Sequence, residues 1–240
     1  MSRGKKYEDI VAKVDKSMVY SIEEAVELIE QTKSAKFDES VDVAVKLGID
    51  PRHADQQIRS AIVLPHGIGK DIKVLVFAKD EKLKEAEEAG ADYAGLDEYV
   101  EKIGKENWLD FDVAIATPDV MSVVGKLGKI LGPRGLMPSP KINTVTFDID
   151  KVVRESKSGR IEFKNDKAGV IHAPIGKTSF GKEKIKDNLL TFIENLMKIK
   201  PSSSKGLYLR KVSISNTMGP GINIDNNDIR EELKKFEVAA

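Results

Sequence analysis

DIKVLVFAKD, residues 71–80, is a short apolar run rich in β-branched residues and bounded by charge at both ends. Such a run predicts a strand buried on both faces, as in a parallel sheet. The next segments repeat the theme. EKLKEAEEAGA (81–91) reads as a helix with Gly90 as its C-cap, and DYAGL (92–96) as a weak second strand. DEYVEKIGKENW (97–108) is a second helix, FDVAIATPDV (111–120) a third strand, and MSVVGKLGKIL (121–131) a helix stopping near Gly132-Pro133. The order β-α-β-α-β-α implies a parallel sheet covered by helices, a Rossmann-like three-layer α/β unit.

The flanks carry a different pattern. Ser21 and Glu24 form a capping box ahead of a helix bearing Ile22, Ala25, Val26 and Ile29. ESVDVAVKLGID (39–50) alternates strictly, with Val41, Val43, Val45, Leu47 and Ile49 on one face of a strand half open to water. RSAIVLP (59–65), RIEFK (160–164) and GLYLRKVSIS (206–215) are further strands. Residues 182–199 form an amphipathic helix with Ile185, Leu189, Phe192, Ile193 and Leu196 on one side, ended by Pro201. Asp228 with Glu231 is suited to cap a last helix. Neither flank alone makes a core. Together they do, which points to a discontinuous α+β domain of residues 1–66 and 160–240, with the α/β domain of residues 67–159 inserted into it. The crossings PHGIGK (65–70) and SKSGR (156–160) carry Gly67, Gly69 and Gly159, and glycines there suit a hinge.

Composition excludes several classes of function. Zero cysteines rule out disulfides, thiolate metal sites and cysteine nucleophiles. The three histidines, His53, His66 and His172, form no i, i+4 metal pair, so no metal is expected. No G-x-S-x-G is present, and Ser202 to Lys205 fits S-x-x-K only inside a Pro-Ser-rich loop. Asp225 to Asp228 resembles the start of a calcium loop without its glycine and distal glutamate. No enzyme activity and no cofactor are expected. The Gly176-Lys177-Thr178 of APIGKTSFGKEK (173–184) copies the tail of a phosphate-binding loop, but the early glycine that loop needs would be residue 171, which is Ile171. That segment reads instead as a flexible basic loop. The N-terminus has no apolar signal-peptide core and no run spans a bilayer, so a cytoplasmic protein with no membrane contact is expected.

Net charge is zero, yet it is unevenly spread: residues 160–211 hold 12 basic and 5 acidic side chains. Such a surplus attracts polyanions. A second stretch, Val120 to Phe147, has no acidic residue while Lys126, Lys129, Arg134 and Lys141 add four positive charges. SNTMGPG (215–221) brings hydroxyls, a methionine and small residues that let another backbone approach.

Four long motifs, in order, settle the pattern: KFDESVDVAVKLGIDPRHADQQIRSAIVLPHGIGK (36–70), LGKILGPRGLMPSPK (127–141), NDKAGVIHAPIGKTSF (165–180) and TMGPG (217–221). Together they resemble the ribosomal protein L-one family of bacterial type. The departures are Ser139, Asn216 and Ile68, where the family often has asparagine, serine and threonine. The resemblance implies the discontinuous and inserted domains already inferred. It implies a large-subunit protein that binds a folded region of large-subunit rRNA at a mobile stalk beside the exit site, meets departing exit-site tRNA, and represses its own operon mRNA. It implies a protein located on the ribosome and a monomer when free. By resemblance the RNA surface comprises Lys36, Phe37, Asp166, Lys167, His172, and Ser215 to Gly219, Thr217 and Met218 included. Phe37 shares the parity of Val41 and Val43, which would equally suit a core position. Lys177, Lys126, Lys129 and Arg134 are candidates for additional backbone contacts.

Overall fold

A computed structural model describes residues 4–79 and 81–239; residues 1–3, Asp80 and Ala240 lie outside them. The chain falls into two compact units, Met1–Gly69 with Ile161–Ala240, and Lys70–Arg160. These divisions stand at 69/70 and 160/161, against 66/67 and 159/160 from the glycine crossings.

In chain order the first unit begins with helix α1 (Lys5–Val11), helix α2 (Ile22–Gln31) and strands β1 (Ser40–Leu47) and β2 (Arg59–Val63). The second unit holds β3 (Val74–Phe77), α3 (Glu81–Glu88), β4 (Tyr93–Gly95), α4 (Asp97–Glu106), β5 (Val113–Ala116), the short helices α5 (Met121–Val124) and α6 (Gly128–Arg134), and α7 (Ile149–Ser158). Strand β6 (Arg160–Lys164) leads back to the first unit, followed by β7 (Val170–Lys177), α8 (Lys182–Lys198), β8 (Leu209–Asn216), β9 (Ile222–Ile224) and α9 (Asn226–Ala239). The protein is thus a mixed helix-and-sheet chain.

In the second unit β3 lies between β4 and β5, parallel to both. All four of its residues are buried. Leu75 and Phe77 join Ile103, Ala116 and Leu131 on one face, while Val74 and Val76 join Ala86, Ile149 and Val153 on the other. A strand covered on both sides can afford no polar residue, which is why 74–77 reads as an unbroken apolar run. Helix α6 runs through Pro133 to Arg134, past the stop read at Gly132-Pro133. In its last turn the missing proline N–H costs a single bond, and Gly135 at φ 76° supplies the left-handed cap.

The first unit is built on an antiparallel sheet of order β7-β1-β8-β9, with β2 and β6 forming a separate pair. The alternation of β1 is realised: Val41, Val43, Val45 and Leu47 are buried. With Ile171, Ile175, Val212, Ile214, Ile222 and the apolar sides of α2, α8 and α9 they make one core. The Ser21–Glu24 capping box is formed in both directions. The apolar residues read for α8 are all buried.

Two local readings are corrected. The segment taken for a flexible basic loop is the second half of β7 and the turn after it. Its signal is masked by Pro174 and Gly176, which this edge strand tolerates because the ladder is needed on one side only. Asp228 caps a different helix from the one expected: α9 starts at Asn226, and the Asp228 Oδ2 accepts the Ile22 N–H of α2 at 2.7 Å. This bond ties chain segments 206 residues apart. Asp228→Ala is expected to lower unfolding free energy by about 1–2 kcal/mol, the usual cost of a lost cap, and Asp228→Asn to restore most of it; urea denaturation checks both.

Candidate nucleic-acid interface

The helices cover one face of the four-stranded sheet, and side-chain alternation leaves the other open. On β1 this open face carries Asp42, Ala44 and Lys46; on β8 Lys211, Ser213 and Ser215; on β7 His172 and Pro174. The register sets Asp42 between Pro174 and Ser215, and Ala44 between His172 and Ser213. The middle of the face is therefore shallow and lined by small groups. From Ser40 to Lys46 it runs about 20 Å at the ordinary strand rise.

One end is assembled by two acidic residues that sequence reading passed over. Glu39 is fully buried just before β1. Its Oε1 accepts the N–H groups of Ser34 (2.9 Å) and Ala35 (2.8 Å), its Oε2 that of Met218 (3.0 Å), and its own carbonyl that of Thr178 (2.9 Å). Burial opposes the charged form, and the three N–H donors outweigh it, holding the carboxyl below its ordinary value. Asp38 does similar work outside: its Oδ1 accepts the Thr178 hydroxyl (2.9 Å) and the Ser179 N–H (3.1 Å), and its Oδ2 the Ser179 hydroxyl (2.7 Å). The bond from the Ser179 hydroxyl is the chief cause of its lowered pKa.

These bonds fix what projects. Phe37 and Met218 stand 55% and 56% exposed. The core position that parity allowed Phe37 is not taken, because the chain is not yet a strand there and Glu39 holds the last inward place. Phe37 and Met218 share a groove with Lys36, Lys6 and Tyr7. Thr217 to Gly219 form a turn closed by the Gly219 N–H on the Asn216 carbonyl at 3.1 Å. The Thr217 hydroxyl accepts the Ser40 N–H (3.0 Å) and donates to the Ser40 carbonyl (3.2 Å). One lone pair remains for a ligand donor. Asn216 is buried, its Nδ2 donating to the Ile29 carbonyl at 2.7 Å, so the turn is anchored on α2.

At the other end stands the turn between β6 and β7. The Asp166 Oδ1 accepts the N–H groups of Ala168 and Val170, each at 2.8 Å, and the Val170 bond is the main reason its pKa is lowered. Asp166 is thus the turn's organiser, with Lys167 at its tip. Lys167 lines a groove with Arg59 and Lys164, and the Lys46 ammonium donates to the Ala168 carbonyl. His172, exposed on β7, has Nε2 3.9 Å from the Asp166 Oδ2. In the centre, desolvation raises the Asp42 carboxyl from its ordinary value, with His172 acting against it.

The remaining expected residues lie elsewhere. Lys177 ends β7, and a Cβ on Gly69 would stand 3.4 Å from its Cδ and 2.8 Å from a Phe180 ring carbon. Gly69 is at φ 68°, Gly67 at 64° and Gly159 at 111°. Lys126, Lys129 and Arg134 are exposed on the short helical segments of the second unit. Among the described residues no helix is long and apolar enough to cross a membrane.

The family model described as ribosomal protein L1p/L10e family matches residues 28–220. The chain belongs to that family. It is accordingly a large-subunit ribosomal protein whose membership implies rRNA binding, in a family of structural rather than catalytic proteins. The matched span takes in Glu39, the open face of β1 and the Thr217–Gly219 turn; Lys6, Tyr7 and all of α9 lie outside it. Glu39 had one sequence signal, an acid on the buried parity of an alternating strand. Arg59 had none, and Lys164 only its share in the basic surplus of residues 160–211, since exposed cations on strands are ordinary.

Glu39→Gln replaces one acceptor oxygen by a donor and leaves at least one buried N–H unpaired, an expected loss of about 1–3 kcal/mol in thermal or denaturant unfolding. The folded pKa of Glu39 lies below its ordinary value of 4.5. Its contribution is therefore complete above that pH and is lost as pH falls through the folded value. The Gln variant is expected to show a shallower fall in stability below about pH 4.5 than the wild type.

Proposed function

We propose that the open sheet face of the first unit, with its two terminal grooves, holds a folded region of large-subunit rRNA at the mobile stalk near the exit site. The observation that carries this reading is the pairing of exposed Phe37 and Met218 beside Lys36 and Lys6 at one end with Lys167, Arg59 and Lys164 at the other. The cations neutralise phosphates, and each phosphate contact contributes about 0.7–0.9 to the log–log salt slope. Phe37 offers a ring to a base or ribose, and the shallow centre admits the RNA backbone. Asp42 and Asp166 repel phosphates, so donors of bases or 2′-hydroxyls belong beside them; such contacts distinguish RNA from DNA. The free lone pair of Thr217 accepts from a 2′-hydroxyl.

The same surface would repress the protein's own mRNA when that mRNA presents a similar shape. Gly67, Gly69 and Gly159 serve as the hinge of a protein that works on the ribosome in the cytoplasm, is monomeric when free, and assists tRNA release. Lys126, Lys129 and Arg134 make additional backbone contacts with tRNA or rRNA; neutralising all three is expected to weaken exit-site tRNA crosslinks, and unchanged crosslinks would remove that role.

The main test is binding to a large-subunit stalk fragment across a salt series, beside an unrelated RNA. Lys36→Ala with Lys167→Ala should flatten the slope by about 1.4–1.8. Phe37→Ala should weaken binding by about 1–3 kcal/mol where the ring stacks on a base. Equal, weak binding of both RNAs would overturn the reading.

A further inference from the structure

A third groove, of about 510 Å³, lies where the open sheet face meets its β9 edge. Its walls include Arg210, Lys211, Asn223, Asn227 and Arg230, with Val19 and Leu207 at the rim. Val19 and Leu207 are 62% and 52% exposed, so the rim is apolar. The local fold gathers the charge. A regular strand would send Arg210 and Lys211 to opposite faces, but β8 carries one residue more than β1 between Leu209 and Lys211, and both side chains are exposed. The bulge is pinned by Asn226, whose Nδ2 donates to the carbonyls of Leu209 (3.3 Å) and Arg210 (2.9 Å). Arg230 stands four residues after Asn226 on α9, on the same side of the helix.

The three cations are in excess. None of them has an ion-pair partner among the described residues, and the groove's one acid, Asp225, has its Oδ1 on the Asn227 N–H at 2.9 Å. Lys211 also faces Lys46 directly across the β1–β8 ladder. Like charges so placed are destabilising. Lys46 is turned to the Ala168 carbonyl, and Lys211 has no ion-pair partner among the described residues. An arrangement of this kind is relieved by an anion.

We propose that this groove is a phosphate track that receives a single-stranded RNA segment leaving the sheet face over β9. Lys211 belongs to both surfaces and joins them, Arg210 and Arg230 hold successive phosphates, and Leu207 and Val19 pack a sugar or base. The proposal rests on the reading of the sheet face as an rRNA surface, and it assigns to α9, beyond residues 28–220, a part in the footprint.

The test compares the stalk fragment trimmed to its folded core with the same fragment carrying a single-stranded extension at either end. Arg210→Gln with Arg230→Gln is the variant, and circular dichroism checks its fold. Wild type is expected to bind one extended fragment more tightly, with a salt slope steeper by about 1.4 for two single-strand phosphates. The variant should lose that increment while binding the trimmed fragment unchanged. Equal slopes for variant and wild type on both extended fragments would overturn the track and leave the sheet face standing. Failure of wild type to bind the trimmed fragment would overturn the sheet face and the track with it. Displacement of the extension by poly-glutamate, where single-stranded RNA does not compete, would mark the groove as a protein-binding site and likewise overturn the proposal.

Discussion

One buried carboxylate organises the business end of the first unit. Glu39 stands at the boundary between core and surface, where an unpaired charge would be costly, and four backbone N–H groups converge on its side chain and carbonyl. Those donors come from three places in the chain: the segment after α2, the turn after β8 and the turn after β7. Segments that are neighbours only in the folded state are thereby held in one rigid arrangement. Phe37, Met218 and Thr217 are presented from it, and Asp38 repeats the device on its outer side. The surface is preorganised, and a preorganised surface spends less of its binding energy on ordering itself.

The opposite end uses the same principle at smaller scale. Asp166 spends one carboxylate oxygen on two N–H groups of its own turn, so the acid is a scaffold for Lys167 as much as a ligand. Between the two ends the sheet contributes flatness rather than charge. Ala44, Ser213 and Ser215 leave room, while Asp42 and His172 give the room polarity. A zero net charge is compatible with this arrangement because it is an average over the chain, while Lys6, Lys36, Arg59, Lys164 and Lys167 stand at the margins of one face.

Legibility in the sequence followed physical strength. The buried run 74–77, the capping box at Ser21 and the apolar side of α8 were readable because burial imposes period or continuity on residue choice. Strand β7 was hidden by Pro174 and Gly176, residues an edge strand tolerates but a local pattern counts against. Asp228 was read as a local cap because its true partner, Ile22, is adjacent only after folding. The same holds for Glu39: its parity was visible, its donors were not. Of the expected RNA residues, Lys36, Phe37, Thr217 and Met218 converge at one end of the face and Asp166 and Lys167 at the other, with His172 and Ser215 between. Arg59, Lys164 and Lys6 join these grooves without any signal that singles them out, since an exposed cation looks alike whether it serves a ligand or only solubility.

The central claim is that RNA lies across the open face and not on the helical one. Lysine-directed chemical footprinting, read by mass spectrometry with and without the stalk rRNA fragment, addresses it directly. Protection of Lys36 and Lys167, with Lys182 and Lys198 of α8 reacting as before, is the predicted result. Protection confined to the α8 lysines, with Lys36 and Lys167 unchanged, would contradict the account.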